Sequence, residues 1–160
     1  MKFTNGFWLL RDDFTADYVR DIYCVEETDT DVRFFGPYRK IEGRGDVLNI
    51  GMMTFTVTAP MEDVLGIRMT NHAGNYVKTP AFALGGTPGR KCKVQNRDGW
   101  EFTSGKLALK IETGSPVMTF YGEKKELTRI PQKTMGMMYQ KDGSRYLYSD
   151  WSTAKEVRVK

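Results

Sequence analysis

Short segments in which apolar and polar residues alternate, each closed by a turn signal, recur along most of the chain. A period of two is what a strand with one buried and one solvated face requires, so it confines the fold to antiparallel sheet. Thr54-Phe55-Thr56-Val57-Thr58 sets Phe55 and Val57 on one face and three threonines on the other. Lys106-Leu107-Ala108-Leu109-Lys110-Ile111-Glu112 does the same, with Leu107, Leu109 and Ile111 facing inward. Val117-Met118-Thr119-Phe120-Tyr121 and Leu127-Thr128-Arg129-Ile130 flank Gly122-Glu123-Lys124-Lys125, which reads as a hairpin turn. Arg145-Tyr146-Leu147-Tyr148 follows the Asp-Gly signal of Lys141-Asp142-Gly143-Ser144. Residues 18–25 are β-rich but mixed. Helical periodicity is nearly absent, its best candidate being Phe14-Thr15-Ala16-Asp17-Tyr18-Val19.

Turn signals also stand at Phe35-Gly36-Pro37, Arg44-Gly45-Asp46, Ala59-Pro60, Gly85-Gly86-Thr87-Pro88-Gly89, Asp98-Gly99 and Thr113-Gly114-Ser115-Pro116. That frequency predicts an all-β domain, an antiparallel β-sandwich of many short strands. With 160 residues and no linker or repeat, one domain spanning 1–160 is expected. A (β/α)8 barrel of about 250 residues does not fit. Lys155-Glu156-Val157-Arg158-Val159-Lys160 still alternates at the last residue, so the domain is expected to be truncated at its C-terminus relative to a longer parent.

Function classes narrow in the same way. Apolar runs such as Phe7-Trp8-Leu9-Leu10 reach four residues, far below the ~20 residues of a membrane span, so no membrane partner is expected. Met1-Lys2-Phe3-Thr4-Asn5-Gly6 lacks a secretory pattern, which predicts a cytoplasmic protein with Cys24 and Cys92 as reduced thiols. The net charge of +4 is spread over small basic groups at Arg90, Lys91 and Lys93, at Lys124 and Lys125, and at Lys155, Arg158 and Lys160. These are mixed with acids rather than arrayed as a basic stripe, so no nucleic-acid partner is expected.

The residues that carry chemistry are sparse. His72 is the single histidine, which excludes multi-histidine metal sites and reads as an exposed loop residue in Asn71-His72-Ala73-Gly74-Asn75. The doublets Asp12-Asp13, Glu26-Glu27 and Glu62-Asp63 put neighbouring acids on opposite faces of a strand. That is not the facing pair which glycosidic hydrolysis needs, and they read as surface charge. Gly85-Gly86-Thr87-Pro88-Gly89-Arg90-Lys91 has the wrong spacing for a phosphate loop. Trp8, Trp100 and Trp151 lie beside polar turn residues, where flat rings serve either packing or sugar stacking. Met135, Met137 and Met138 read as adaptable packing at an interface with something missing. Catalytic, metal and cofactor residues are therefore expected to be absent, and no substrate-binding residue is assigned.

Several segments, taken in order, resemble the amino-terminal portion of bacterial α-xylosidases and related α-glucosidases of glycoside hydrolase family 31. Met1-Lys2-Phe3-Thr4-Asn5-Gly6-Phe7-Trp8-Leu9 is similar to their opening strand with its Trp-Leu pair. Ala59-Pro60-Met61-Glu62-Asp63-Val64-Leu65-Gly66-Ile67-Arg68 resembles their Ser-Pro-x-Glu-x-Val/Ile-Gly-Val-Arg segment. Asn71-His72-Ala73-Gly74 stands where a His-Phe-x-Gly stretch is frequent, here without the Phe. Phe102-Thr103-Ser104-Gly105-Lys106-Leu107 resembles a Phe-x-Ser-Gly-x-Leu strand entry, and the likeness is vaguer beyond Leu109.

The resemblance implies a β-sandwich of the galactose-mutarotase-like (super-sandwich) type that precedes a catalytic (β/α)8 barrel. The family cleaves α-glycosidic bonds with retention, using two aspartates in that barrel. Its nucleophile segment, like Trp-x-Asp-Met-Asn-Glu, does not occur here, and neither does its Gly-Glu-x-x-Tyr-Gly-Leu-Gly-Glu stretch. The implied role is non-catalytic: packing on the barrel and shaping its pocket for an α-xyloside or α-glucoside. The barrel of the same chain is the implied partner, and self-association through an exposed apolar face is expected of the domain alone. The alternative is an independent carbohydrate-binding sandwich.

Overall fold

A computed structural model describes residues 3–5, 9–28, 31–71, 93–96, 99–112 and 114–153. The strands in chain order are β1 (Thr4–Asn5), β2 (Leu9–Leu10), β3 (Phe14–Tyr18), β4 (Tyr23–Glu27), β5 (Val32–Pro37), β6 (Met52–Thr58) and β7 (Gly66–Asn71). They continue with β8 (Lys93–Asn96), β9 (Gly99–Ser104), β10 (Leu107–Glu112), β11 (Met118–Gly122), β12 (Lys125–Ile130), β13 (Met135–Gln140), β14 (Arg145–Ser149) and β15 (Ser152–Thr153). A 3-10 turn at Arg44–Val47 is the helical element among the described residues.

Every strand pairing is antiparallel. A six-stranded sheet runs β15-β12-β11-β10-β9-β8 and a four-stranded one β4-β5-β6-β7. A three-stranded sheet, β14-β13-β3, and the pair β1-β2 complete the architecture. This is the all-β sandwich that the alternation predicts.

One core joins the sheets. Val32, Phe34, Met53, Phe55 and Val57 from the four-stranded sheet share it with Phe102, Leu109, Ile111, Met118 and Ile130 from the six-stranded one. Phe34 stacks on Phe55 at 4.7 Å between ring centroids and reaches Phe102 across the sandwich at 5.9 Å. The threonines of β6 and Lys110 of β10 take the alternate positions, as predicted.

The central strand of the three-stranded sheet, β13, is buried on both faces. Met135 and Met137 enter the main core. Met138, on the opposite face, is also buried. Over that second face Phe3 packs edge-on to Phe14 at 5.3 Å and lies 5.6 Å from Tyr146, so β1-β2 acts as a lid on the sheet. The expected interface for these methionines is thus corrected: their partners are this chain's own side chains.

Tertiary contacts settle two stretches that are mixed in the sequence. Residues 14–18 form strand β3 rather than a helix, because pairing with β13 and burial of Phe14 reward the extended form. The β-rich stretch 18–25 is not one strand either. After β3 the chain crosses between sheets, with the Val19 amide donating to Met135 O (2.9 Å) and the Arg20 amide to Pro37 O (2.9 Å). The Asp21 carboxylate then accepts from the Ile22 and Ile41 amides and fixes the corner. Trp8, His72, Gly85–Lys91, Cys92 and Lys155–Lys160 lie outside the described residues.

Candidate functional site

Two of the segments that carry the family resemblance meet in space. The 59–65 connection between β6 and β7 folds over the β9–β10 hairpin. There Ser104 Oγ donates to Met61 O at 2.9 Å, and the Lys106 amide donates to the Asp63 carboxylate. Asp63 itself has φ of 58°, in the left-handed region, where acidic and amide residues are enriched. Gly105, at φ 55°, occupies the first loop position of a two-residue hairpin, and a Cβ there would collide with the Asp63 carboxylate. Asp63 is therefore more than surface charge: it ties the two sheets together at one end of the sandwich. The loop holds Met61 out in solvent on a fixed backbone.

A second polar grouping lies where the three- and four-stranded sheets meet. Tyr38, just beyond β5, donates its hydroxyl to Asn71 Oδ1 at 2.9 Å at the end of β7. Burial raises the Tyr38 phenol far above its ordinary value, and the nearby Tyr139 and Asp17 push it further up. Tyr139 on β13 is raised by burial first and then by the nearby Asp17 carboxylate. Asp17 and Tyr139 stand diagonally across the β3–β13 pair, a register that brings side chains on one face together. Phenols that keep their protons donate hydrogen bonds and do not serve as bases or nucleophiles. This cluster can orient a hydroxyl or brace a joint. It does not supply an acid–base pair.

The tryptophans divide. Trp100 is half-buried and packs on the main core. Trp151 is 47% exposed and stacks on Phe120 with centroids 5.1 Å apart and 24° between the ring planes. Of the acidic doublets, Asp13 pairs with Arg11 at 3.1 Å, and Glu26-Glu27 lies on the edge strand β4. Among the described residues no cluster of three or more His, Cys, Asp or Glu is placed to hold a metal ion. Sequence reasoning missed the Tyr38–Asn71–Tyr139–Asp17 grouping. Its members are spread over residues 17 to 139 with no local spacing to mark them.

Comparison with known proteins gives a consistent direction. No family model matches the chain. It is 37% identical over 84 residues to the α-xylosidase XylQ of Lactiplantibacillus pentosus, a match covering 52% of this chain and 11% of that protein. It is 28% identical over 123 residues to an α-xylosidase of Emericella nidulans, covering 75% of this chain and 15% of the relative. The ordered likeness visible in the residues therefore holds against whole sequences: this chain is similar to a small part of two α-xylosidases.

Proposed function

We propose that the chain is the non-catalytic amino-terminal β-sandwich domain, of galactose-mutarotase-like type, of a cytoplasmic retaining α-glycosidase of glycoside hydrolase family 31. Its role is to pack on a (β/α)8 barrel of the same polypeptide and help shape a pocket for an α-xyloside or α-glucoside. The observation that carries this reading is the likeness to two α-xylosidases of which the chain spans only 11% and 15%. The contact between the 59–65 loop and the β9–β10 hairpin adds support, because it gives the resembling segments a joint structural task. The phenols of the tyrosine cluster suit positioning rather than bond cleavage.

A barrel's active site opens at the C-terminal face of its strands and is shaped by loops, so a rigid sandwich beside that face can narrow the pocket without contributing an acid or base. Incubating the 160-residue chain with 4-nitrophenyl α-D-xyloside tests the division of labour. No release of nitrophenol is expected, and turnover by this chain alone overturns the reading. The gene supplies the companion test: a barrel of about 250 residues is expected in the same reading frame, and its absence overturns the assignment. The exposed Leu9, Leu48, Met61, Leu127 and Leu147 make self-association of the isolated domain the expected result in sedimentation.

A further inference from the structure

We infer that Trp151, backed by Phe120, is a stacking platform for the flat apolar face of a pyranose ring. The choice of a sugar as occupant rests on reading the chain as part of an α-glycosidase; the site itself rests on geometry. One face of the indole lies against Phe120 at 5.1 Å, nearly parallel. That contact leaves 47% of the residue exposed to solvent.

The backbone on either side of Trp151 is held. The Asp150 amide donates to Thr134 O at 2.8 Å, and Ser152 and Thr153 pair with Arg129 and Thr128 of β12. Thr128 Oγ1 donates to Ser152 O at 2.8 Å, and Ser152 Oγ to Arg129 O at 3.3 Å. An aromatic side chain fixed before its ligand arrives loses little conformational freedom on binding, which is what makes a weak contact usable. A pyranose offers a patch of C–H groups that covers an indole face while its hydroxyls stay at the rim, among water and the exposed neighbours Asp150 and Ser152. Phe120 belongs to the inner face of the six-stranded sheet, opposite Leu109 and Thr128, so the platform is built on the sandwich rather than on a free loop.

A single stacked ring corresponds to a dissociation constant of about 1–10 mM. The test follows the indole N–H resonances of Trp8, Trp100 and Trp151 in the 160-residue chain, assigned with Trp151→Phe. Methyl α-D-xylopyranoside and isoprimeverose are the probes, and xylitol, which lacks a ring face, is the control. A saturable shift of the Trp151 resonance with both sugars and not with xylitol is expected, weakened at least threefold in Phe120→Ala. No saturable shift, an equal shift with xylitol, or a shift confined to Trp8 or Trp100 overturns the site. If the titration fails while the barrel is found in the gene, only the platform falls and the domain assignment stands.

Discussion

At the scale of single residues, the structure marks positions where one atom decides. Gly136 in β13 lies so close to β3 that an added Cβ would strike the Asp17 carbonyl oxygen and crowd Tyr18 Cα, 2.9 Å away. Backbone atoms cannot swing aside as a side-chain tip can. Gly136→Ala is therefore expected to destabilise the fold by about 1–3 kcal/mol, the usual range of overpacking, read as a lowered urea midpoint. Ser149 presents the opposite case. Its hydroxyl is buried opposite Met135 without a hydrogen-bond partner. Removing an unsatisfied buried hydroxyl relieves a desolvation penalty, so Ser149→Ala is expected to raise stability by about 1 kcal/mol, seen as an upward shift of the same midpoint. Neither position announces itself in the sequence, because both depend on what stands across the sheet.

At the scale of elements, hairpins were the most legible features. The turn predicted at Gly122–Lys125 joins β11 to β12 with Glu123 and Lys124 at φ of 50° and 71°. Two consecutive left-handed residues define a type I′ turn, whose twist suits a tight hairpin but strains ordinary side chains. Replacing the pair with Asn-Gly (Glu123→Asn with Lys124→Gly) is expected to stabilise by about 1 kcal/mol, measurable as a raised Tm with unchanged dichroism. The turn at Lys141–Ser144 also matches its Asp-Gly signal: Gly143 sits at φ 90°, and the Ser144 amide is held by the Asp142 carboxylate at 2.8 Å. Residues 14–18 failed as a helical candidate for a reason of the same scale. A short run of mixed propensity takes the form that its partner strand offers, and β13 offers a ladder.

At the scale of the whole molecule, tyrosine phenols on both faces of the three-stranded sheet tie stability to pH. Tyr18, Tyr38, Tyr139 and Tyr148 all have phenols raised above their ordinary value, with burial as the first cause. The unfolded chain releases those protons near pH 10, before the folded one does. Their contribution is fully present below that pH and is lost as pH rises through the folded values. Thermal unfolding is therefore expected to hold steady up to about pH 9–10 and then fall. Tyr38→Phe should make the alkaline decline shallower while lowering Tm at neutral pH through loss of the bond to Asn71. An unchanged alkaline slope in that variant would remove Tyr38 from the cause.

The sequence alone determined the class of fold, the inward faces of β6 and β10, the main hairpins and the similarity to a small part of two α-xylosidases. Each of these depends on order and alternation within a few neighbouring residues, and that information lies along the chain. Tertiary structure alone decided that the methionines of β13 are core on both faces, that Asp63 joins two sheets, and that Trp151 lies open on Phe120 while Trp100 is packed away. Those outcomes turn on contacts between residues tens of positions apart, where burial and register, rather than local preference, set the energy.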